Sequence, residues 1–320
     1  MIKNPLKILT YHHYTYKVVL KGTALFIYNG YYNEKYGNKV IIMNTDIKLV
    51  ALDLDRTTLN SESHLSEVNR KALIDAINNG VHVCIASGRA FDTLPEDVIS
   101  VPGIEYAITS NGAAIYRIAG KECLKSYLLT PSSVKTILDL TANDTVTYEA
   151  FIKGQAFAST EYIRHPEKYG ATEHSLAYVK KTRLLKDDIK GFILEHCHEL
   201  DSLDIVVGDE ELKKDIMDRI RKATDEVYMT SSISQLLEIS YKDAGKKSGV
   251  KFLTEYLGLS RENVAAFGDA DNDTDMIEYA GVGIAMENAA PHLKQIADHV
   301  TLHHDKDGVA YAFRNILNIC

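Results

Sequence analysis

Four short apolar runs, each closing on a small polar turn, constrain this chain more than any other feature. Ile47-Lys48-Leu49-Val50-Ala51-Leu52 closes on Asp53-Leu54-Asp55-Arg56-Thr57-Thr58, and Val81 to Ala86 on Ser87-Gly88-Arg89. Tyr106 to Thr109 closes on Ser110-Asn111-Gly112, and Asn263 to Phe267 on Gly268-Asp269-Ala270-Asp271-Asn272-Asp273. Short runs without alternation are the pattern of strands buried on both faces. Between the first two runs, Ser66 is placed to cap a helix, Val68, Ala72, Leu73 and Ile77 follow at helical spacing, and Gly80 stops it. Lys251 to Leu257 reads as a second helix and Gly281 to Ala285 as one more strand. This order predicts an α/β fold, a Rossmann-like doubly wound parallel sheet. Such sheets bind ligands beyond the carboxyl ends of their strands, where this chain places its Asp, Ser and Asn residues.

The pattern departs from this scheme twice. Over residues 128–240, alternating segments (Val146 to Phe151, Gln155 to Ser159, Leu236 to Ser240) mix with helix-like stretches such as Glu210 to Ala223. This predicts an inserted α+β cap, with the core split into 47–127 and 241–320. Residues 1–46 hold Tyr11, Tyr14, Tyr16, Tyr28, Tyr31, Tyr32 and Tyr36, seven of the 19 tyrosines, and alternate weakly. Two readings fit them: an extra hairpin on the main body, or a leading stretch before a true start at Met43. Neither assigns the segment a function.

Charge and composition narrow the function classes. With 36 Lys+Arg against 44 Asp+Glu, the net charge is -8, which argues against a surface for nucleic-acid phosphates. The basic cluster Lys180-Lys181-Thr182-Arg183 is soon followed by Asp187-Asp188 and reads as solvated. Cys84, Cys123, Cys197 and Cys320 form no C-x-x-C pair, which points to a reducing, cytoplasmic compartment. No apolar run approaches the roughly 18 residues of a membrane span. Val18 to Tyr28, the best candidate, is broken by Lys21 and Gly22, so neither a signal peptide nor a membrane anchor is expected.

The acidic turns carry the chemistry. Asp53 and Asp55 stand at one strand end and Asp269 to Asp273 at another. Two such turns converging on one sheet edge would repel each other unless a cation lay between them. Hard oxygen ligands with room for a phosphate favour Mg²⁺. Ser87 and Gly88 offer a hydroxyl and flexible amides to an anionic oxygen, and Lys246 or Lys247 a cation. His196-Cys197-His198 reads poorly as a metal site, since neighbours on a helix diverge. His12-His13 and His303-His304 read as surface pairs.

Taken together, the order D-L-D-R-T, S-G-R, Lys and G-D-A-D-N-D resembles the haloacid-dehalogenase-like hydrolases, and more narrowly their Cof-type phosphatases with a large α/β cap. Ser110-Asn111-Gly112-Ala113, Leu237-Glu238-Ile239, Ala285-Met286-Glu287-Asn288-Ala289 and Asp307-Gly308-Val309-Ala310 are similar to that group as well. The resemblance implies a phosphatase acting on a small phosphorylated metabolite, with sugar phosphates leading. Asp53 would be the nucleophile that becomes an aspartyl-phosphate, and Asp55 the acid and then base. Ser87, Gly88 and Lys246 would hold the phosphoryl group. Mg²⁺ would be bound by Asp53, the Asp55 carbonyl and Asp269, with Asn272 and Asp273 in support. Asp55 must begin protonated, which crowding by carboxylates would favour. A phosphomutase and a non-catalytic phosphometabolite sensor are the alternatives. Arg56, Ala270 and Lys247 stand where the group usually has Gly; counting back from the following helix selects Lys246 over Lys247. His174, Glu173 and Tyr178 are the cap residues considered for substrate contact.

Overall fold

The computed structural model describes residues 7–11, 14–21, 24–30 and 46–320. The leading segment pairs as three antiparallel strands, one more than a hairpin: β1 (Lys7–Tyr11), β2 (Tyr14–Lys21) and β3 (Ala24–Gly30). His12, His13, Met43 and Tyr31, Tyr32 and Tyr36 lie outside the described residues.

The apolar runs become strands with ends close to those read from sequence. The core opens with β4 (Leu49–Leu52), β5 (His82–Ala86) and β6 (Ile104–Thr109), then β7 (Ala114–Arg117) and β8 (Glu122–Ser126). The chain next builds β9 (Thr147–Ile152), β10 (Gln155–Ser159), β11 (Leu184–Lys186), β12 (Leu200–Val206), β13 (Val227–Thr230) and β14 (Leu236–Tyr241). It then returns to the core with β15 (Val264–Gly268), β16 (Val282–Ala285) and β17 (His299–Val300).

The core sheet runs β17-β16-β15-β4-β5-β6-β7-β8, parallel from β17 to β6 and antiparallel thereafter. Strands β5 and β6 extend to one side of β4, and β15, β16 and β17 to the other. The order therefore reverses between β4 and β15, which is where a doubly wound sheet leaves a crevice. All four residues of β4 are buried, as expected of a central parallel strand.

Local signals set the framing helices. The Ser66 hydroxyl accepts the Asn69 N–H at 3.0 Å, starting the helix Glu67–Asn78. Val68, read as part of its apolar stripe, is 43% exposed. The buried first-turn position is Asn69, whose side chain donates to the Thr58 carbonyl and accepts from the Ala310 N–H. A polar residue can take that place because two buried backbone groups need partners there.

The inserted α+β sheet runs β11-β10-β9-β12-β14-β13 and has two unlike faces. Tyr148, Ala150, Leu203, Ile205, Leu237 and Ile239 pack with the helices Pro131–Leu140, Ile189–Glu195 and Glu210–Ala223. One residue out of phase, Glu149, Asp204 and Glu238 stand side by side across β9, β12 and β14. The Arg183 side chain pairs with Glu149 at 2.6 Å and is only 6% exposed, so the solvated reading of the basic cluster holds for Lys180 and Lys181 but fails at Arg183. That carboxylate row draws in its cation. No helix among the described residues is long and apolar enough to cross a membrane.

Candidate active site

Because β15 pairs in parallel with β4, their two acidic turns leave the sheet side by side, and the Asp53 N–H donates to the Phe267 carbonyl at 3.1 Å. Asp53, Asp269 and Asp273 are buried, each offering an oxygen within 4.8 Å of the others. Gly268 makes this possible: a Cβ there would lie 2.4 Å from the Asp273 Cβ. Asp273 folds back so that its Oδ2 accepts the N–H groups of Asp269 (2.9 Å) and Ala270 (3.0 Å).

Lys246 opens the helix Lys246–Tyr256 and is fully buried. Its Nζ bridges Asp53 Oδ1 at 2.7 Å and Asp273 Oδ1 at 2.5 Å. Lys247 points to solvent. The helix start is pressed against the turn after β6, since any Cβ on Gly112 would sit 1.9 Å from the Gly245 carbonyl oxygen.

Burial lifts the Asp53 carboxyl well above its ordinary range, Asp273 and Asp269 push it further, and Lys246 pulls against them. Burial and Asp273 push Asp269 up to about 7. Burial works against charge on Lys246, but Asp273 and Asp53 outweigh it and hold the ammonium protonated. Three buried carboxylates thus face one buried cation. The surplus negative charge and all-oxygen donor set fit a hard divalent ion such as Mg²⁺. Asp53 and Asp269 would be the residues to hold it, because both oxygens of Asp273 are already engaged by Lys246 and two amides.

This arrangement carries a pH signature. The folded Asp269 value of about 7 lies above its ordinary 3.8, so the metal-free fold binds an extra proton between them and loses stability as pH rises through that window. A bound cation removes the cost. The gain in melting temperature from Mg²⁺ is therefore expected to grow from pH 5 to pH 8. A gain that is flat or shrinks with pH, measured by calorimetry, would remove this cluster as the metal site.

The remaining turns close around the cluster. Ser87 is buried after β5, its hydroxyl accepting the Arg89 N–H at 3.2 Å. A Cβ on Gly88 would meet Glu238 Oε1 at 3.0 Å and Asn111 Oδ1 at 3.2 Å. Asn111 donates to Glu238 at 3.0 Å and accepts from Asn272 at 3.0 Å. Asn272 thus joins the acidic turn to the turn after β6, and Glu238 carries that chain into the second sheet. Glu238 also accepts the Ser232 N–H at 2.6 Å.

Asp55 differs from expectation. Carboxylate crowding falls on Asp53 and Asp269, whereas Asp55 accepts two hydrogen bonds from Arg89, at 2.6 and 2.9 Å. Arg89 also lies 4.8 Å from the Tyr178 ring centroid. Tyr178, considered for substrate contact, therefore touches the catalytic rim through Arg89; Glu173 is exposed, and the His174 side chain lies outside the described residues. Arg56 takes the left-handed conformation (φ 61°) that its usual glycine would adopt freely. Its Nε lies 3.6 Å from Asp269 Oδ2, and Asn288 donates to its carbonyl at 2.8 Å.

Elsewhere, His304 is buried with Nδ1 3.0 Å from the Leu59 carbonyl, which corrects its reading as a surface residue: a buried carbonyl needs a donor. His196 is turned onto Phe192 and Glu199. Sequence reasoning passed over Arg89, Asn111 and Glu238 as site residues. Glu238 carried a signal, a lone acid between apolar neighbours inside a strand.

A doubly wound core that gathers carboxylates and a buried lysine at its switch point, under an inserted α+β cap, defines a capped α/β hydrolase. The chain belongs to the haloacid dehalogenase-like hydrolases, whose family profile matches residues 50–313. It is 30% identical over 272 residues to the 5-amino-6-(5-phospho-D-ribitylamino)uracil phosphatase YcsE of Bacillus subtilis, covering 85% of this chain and 96% of that one. Phosphatase YwpJ of the same organism is 30% identical over 292 residues, covering 85% and 100%. A solved haloacid dehalogenase-like hydrolase from B. subtilis superposes with a TM-score of 0.72 at 28% identity, over 85% of this chain and all of the other. The chain is thus a Cof-type phosphoric monoester hydrolase, an enzyme of phosphorylated substrates.

Proposed function

We propose that this enzyme is a Mg²⁺-dependent phosphatase of small phosphorylated metabolites, with sugar phosphates the leading class, working through an aspartyl-phosphate on Asp53. The observation that carries the reading is the bridge from Lys246 to Asp53 and Asp273 beside Asp269 at the switch point. Phosphoryl transfer depends on positioning and on offsetting charge. Lys246 meets that need by favouring the ionised form of Asp53 against the burial and carboxylates that oppose it, and by attracting the phosphoryl oxygens. Ser87, with the amides around Gly88, receives another of those oxygens.

An Asp53 oxygen attacks phosphorus, the bond from phosphorus to the ester oxygen breaks, and Asp55 gives its proton to the leaving alcohol. Water then attacks the phosphorus of the aspartyl-phosphate, Asp55 takes the water's proton, and inorganic phosphate leaves with Asp53 restored. The acid step requires the Asp55–Arg89 contact to open, freeing a carboxyl oxygen for the proton. Asp53 and Asp269, with the Asp55 carbonyl, would hold Mg²⁺, which would supply charge neutralisation at the phosphoryl group.

All four cysteines are unpaired, which supports a reducing compartment and the cytoplasmic reading. The test is phosphate release from an aryl phosphate and a panel of sugar phosphates, with Mg²⁺ and with EDTA. Release that EDTA abolishes and Mg²⁺ restores is the expected result. Isomer formation without release would indicate a phosphomutase. Ligand binding without turnover in folded, metal-loaded protein would indicate a sensor.

A further inference from the structure

We infer that the substrate carries a second anionic group, a carboxylate or another phosphate, and that Arg56 of the core and Lys213 of the cap grip it. This rests on the phosphatase reading and narrows its substrate class. A cleft of about 340 Å³ opens beside the catalytic acids, lined on the core side by Arg56, Asp269 and Asp271 and on the cap side by Lys213, Ser231 and Ser234. Its volume falls at the lower end of the roughly 300–1,000 Å³ of small-molecule sites.

The cations in this cleft have donors to spare. Lys213 is half-buried, a costly place for an ammonium without partners. Its Nζ donates to Ser231 Oγ at 3.2 Å and the Ser234 carbonyl at 2.5 Å, and among the described residues it pairs with no carboxylate. An ammonium has three N–H groups, so one is left for the cleft. Arg56 offers five donors, and its Nε stands 3.6 Å from Asp269, beyond hydrogen-bond reach. The acids on the floor offset this pair only in part: Asp269 makes an ion pair with Arg56 through Nε alone, and Asp271 is turned to His292 at 3.3 Å.

Lys246 and Ser87 serve the transferred phosphoryl group. Arg56 and Lys213 stand on the two walls of the cleft with N–H groups that have no partner among the described residues, which suits a second anion better than a neutral sugar ring. A substrate that spans core and cap through two anions would also draw the cap onto the site.

The test compares glucose 6-phosphate, with one anionic group, against 6-phosphogluconate and fructose 1,6-bisphosphate, which add a carboxylate and a phosphate respectively. Turnover is measured on the wild type, and binding by calorimetry on Mg²⁺-loaded Asp53→Asn, alone and combined with Lys213→Met or Arg56→Gly. At least one doubly anionic ligand is expected to bind about 10- to 100-fold more tightly than glucose 6-phosphate, with either added substitution erasing most of that preference. Whichever of the two prefers the site identifies the second group. Equal binding of all three, or a preference that survives both substitutions, overturns the inference. Binding preference without turnover in the wild type would sink the phosphatase reading and leave this one standing. Turnover without preference would do the reverse.

Discussion

Asp53→Asn is expected to cut Mg²⁺-dependent phosphate release by at least about 10³-fold with the fold intact. The amide keeps an oxygen where Lys246 reaches Asp53 Oδ1, so the bridge survives in shape while the attacking charge is lost. Burial, Asp273 and Asp269 already disfavour the ionised Asp53, so neutralising it relieves repulsion. The metal-free variant should therefore melt no lower than the wild type. Rapid acid quench with labelled substrate checks the chemistry directly, since wild type should trap a phosphoryl-enzyme and the variant none. A variant that still turned over within tenfold of wild type would exclude Asp53 as the nucleophile.

Lys246→Met is expected to damage stability as well as catalysis. The substitution leaves Asp53 and Asp273 buried without their shared cation, and removing one partner of such a pair costs about 3–5 kcal/mol. The pH dependence has a definite sign. Lys246 pulls the Asp53 and Asp269 carboxyls down, so its loss raises both further. A carboxylate whose folded value is raised costs stability as pH climbs through that value. The deficit should therefore be largest above about pH 7 and shrink on acidification. Urea unfolding followed by circular dichroism at pH 5 and pH 8 measures it, and an equal deficit at both would contradict the assigned electrostatics. Turnover should fall by about 10²-fold or more, because the phosphoryl oxygens lose their buried cation.

Much of the architecture was legible because it rests on local chemistry. The strands of the parallel sheet are short apolar runs, and the turns that end them are polar by necessity. Ser66 announced a helix start through its own hydroxyl, and the alternation of residues 146–151 and 236–240 announced a sheet of a different kind. Asp53 and Asp269 could be picked out because each follows such a boundary, whereas Lys246 was chosen over Lys247 only through the family resemblance. The failures share one cause. Asn69, Arg183 and His304 are polar residues in buried places, and a polar residue reads as exposed until its partner is known. Their partners lie far away in sequence: Ala310 for Asn69, Glu149 for Arg183 and Leu59 for His304.

The sequence by itself determined the fold class and the strand ends that hold the acids, since strand burial and turn composition are properties of neighbouring residues, while the order of its motifs carried the family resemblance that implied phosphate chemistry. Only the tertiary structure decided that Asp273 is occupied by Lys246 and amides, that Asp55 faces Arg89, and that Lys213 reaches the cleft beside Arg56. Those outcomes depend on which side chains meet across the switch point and between core and cap, and a carboxylate's charge and partners are set by its neighbours in space.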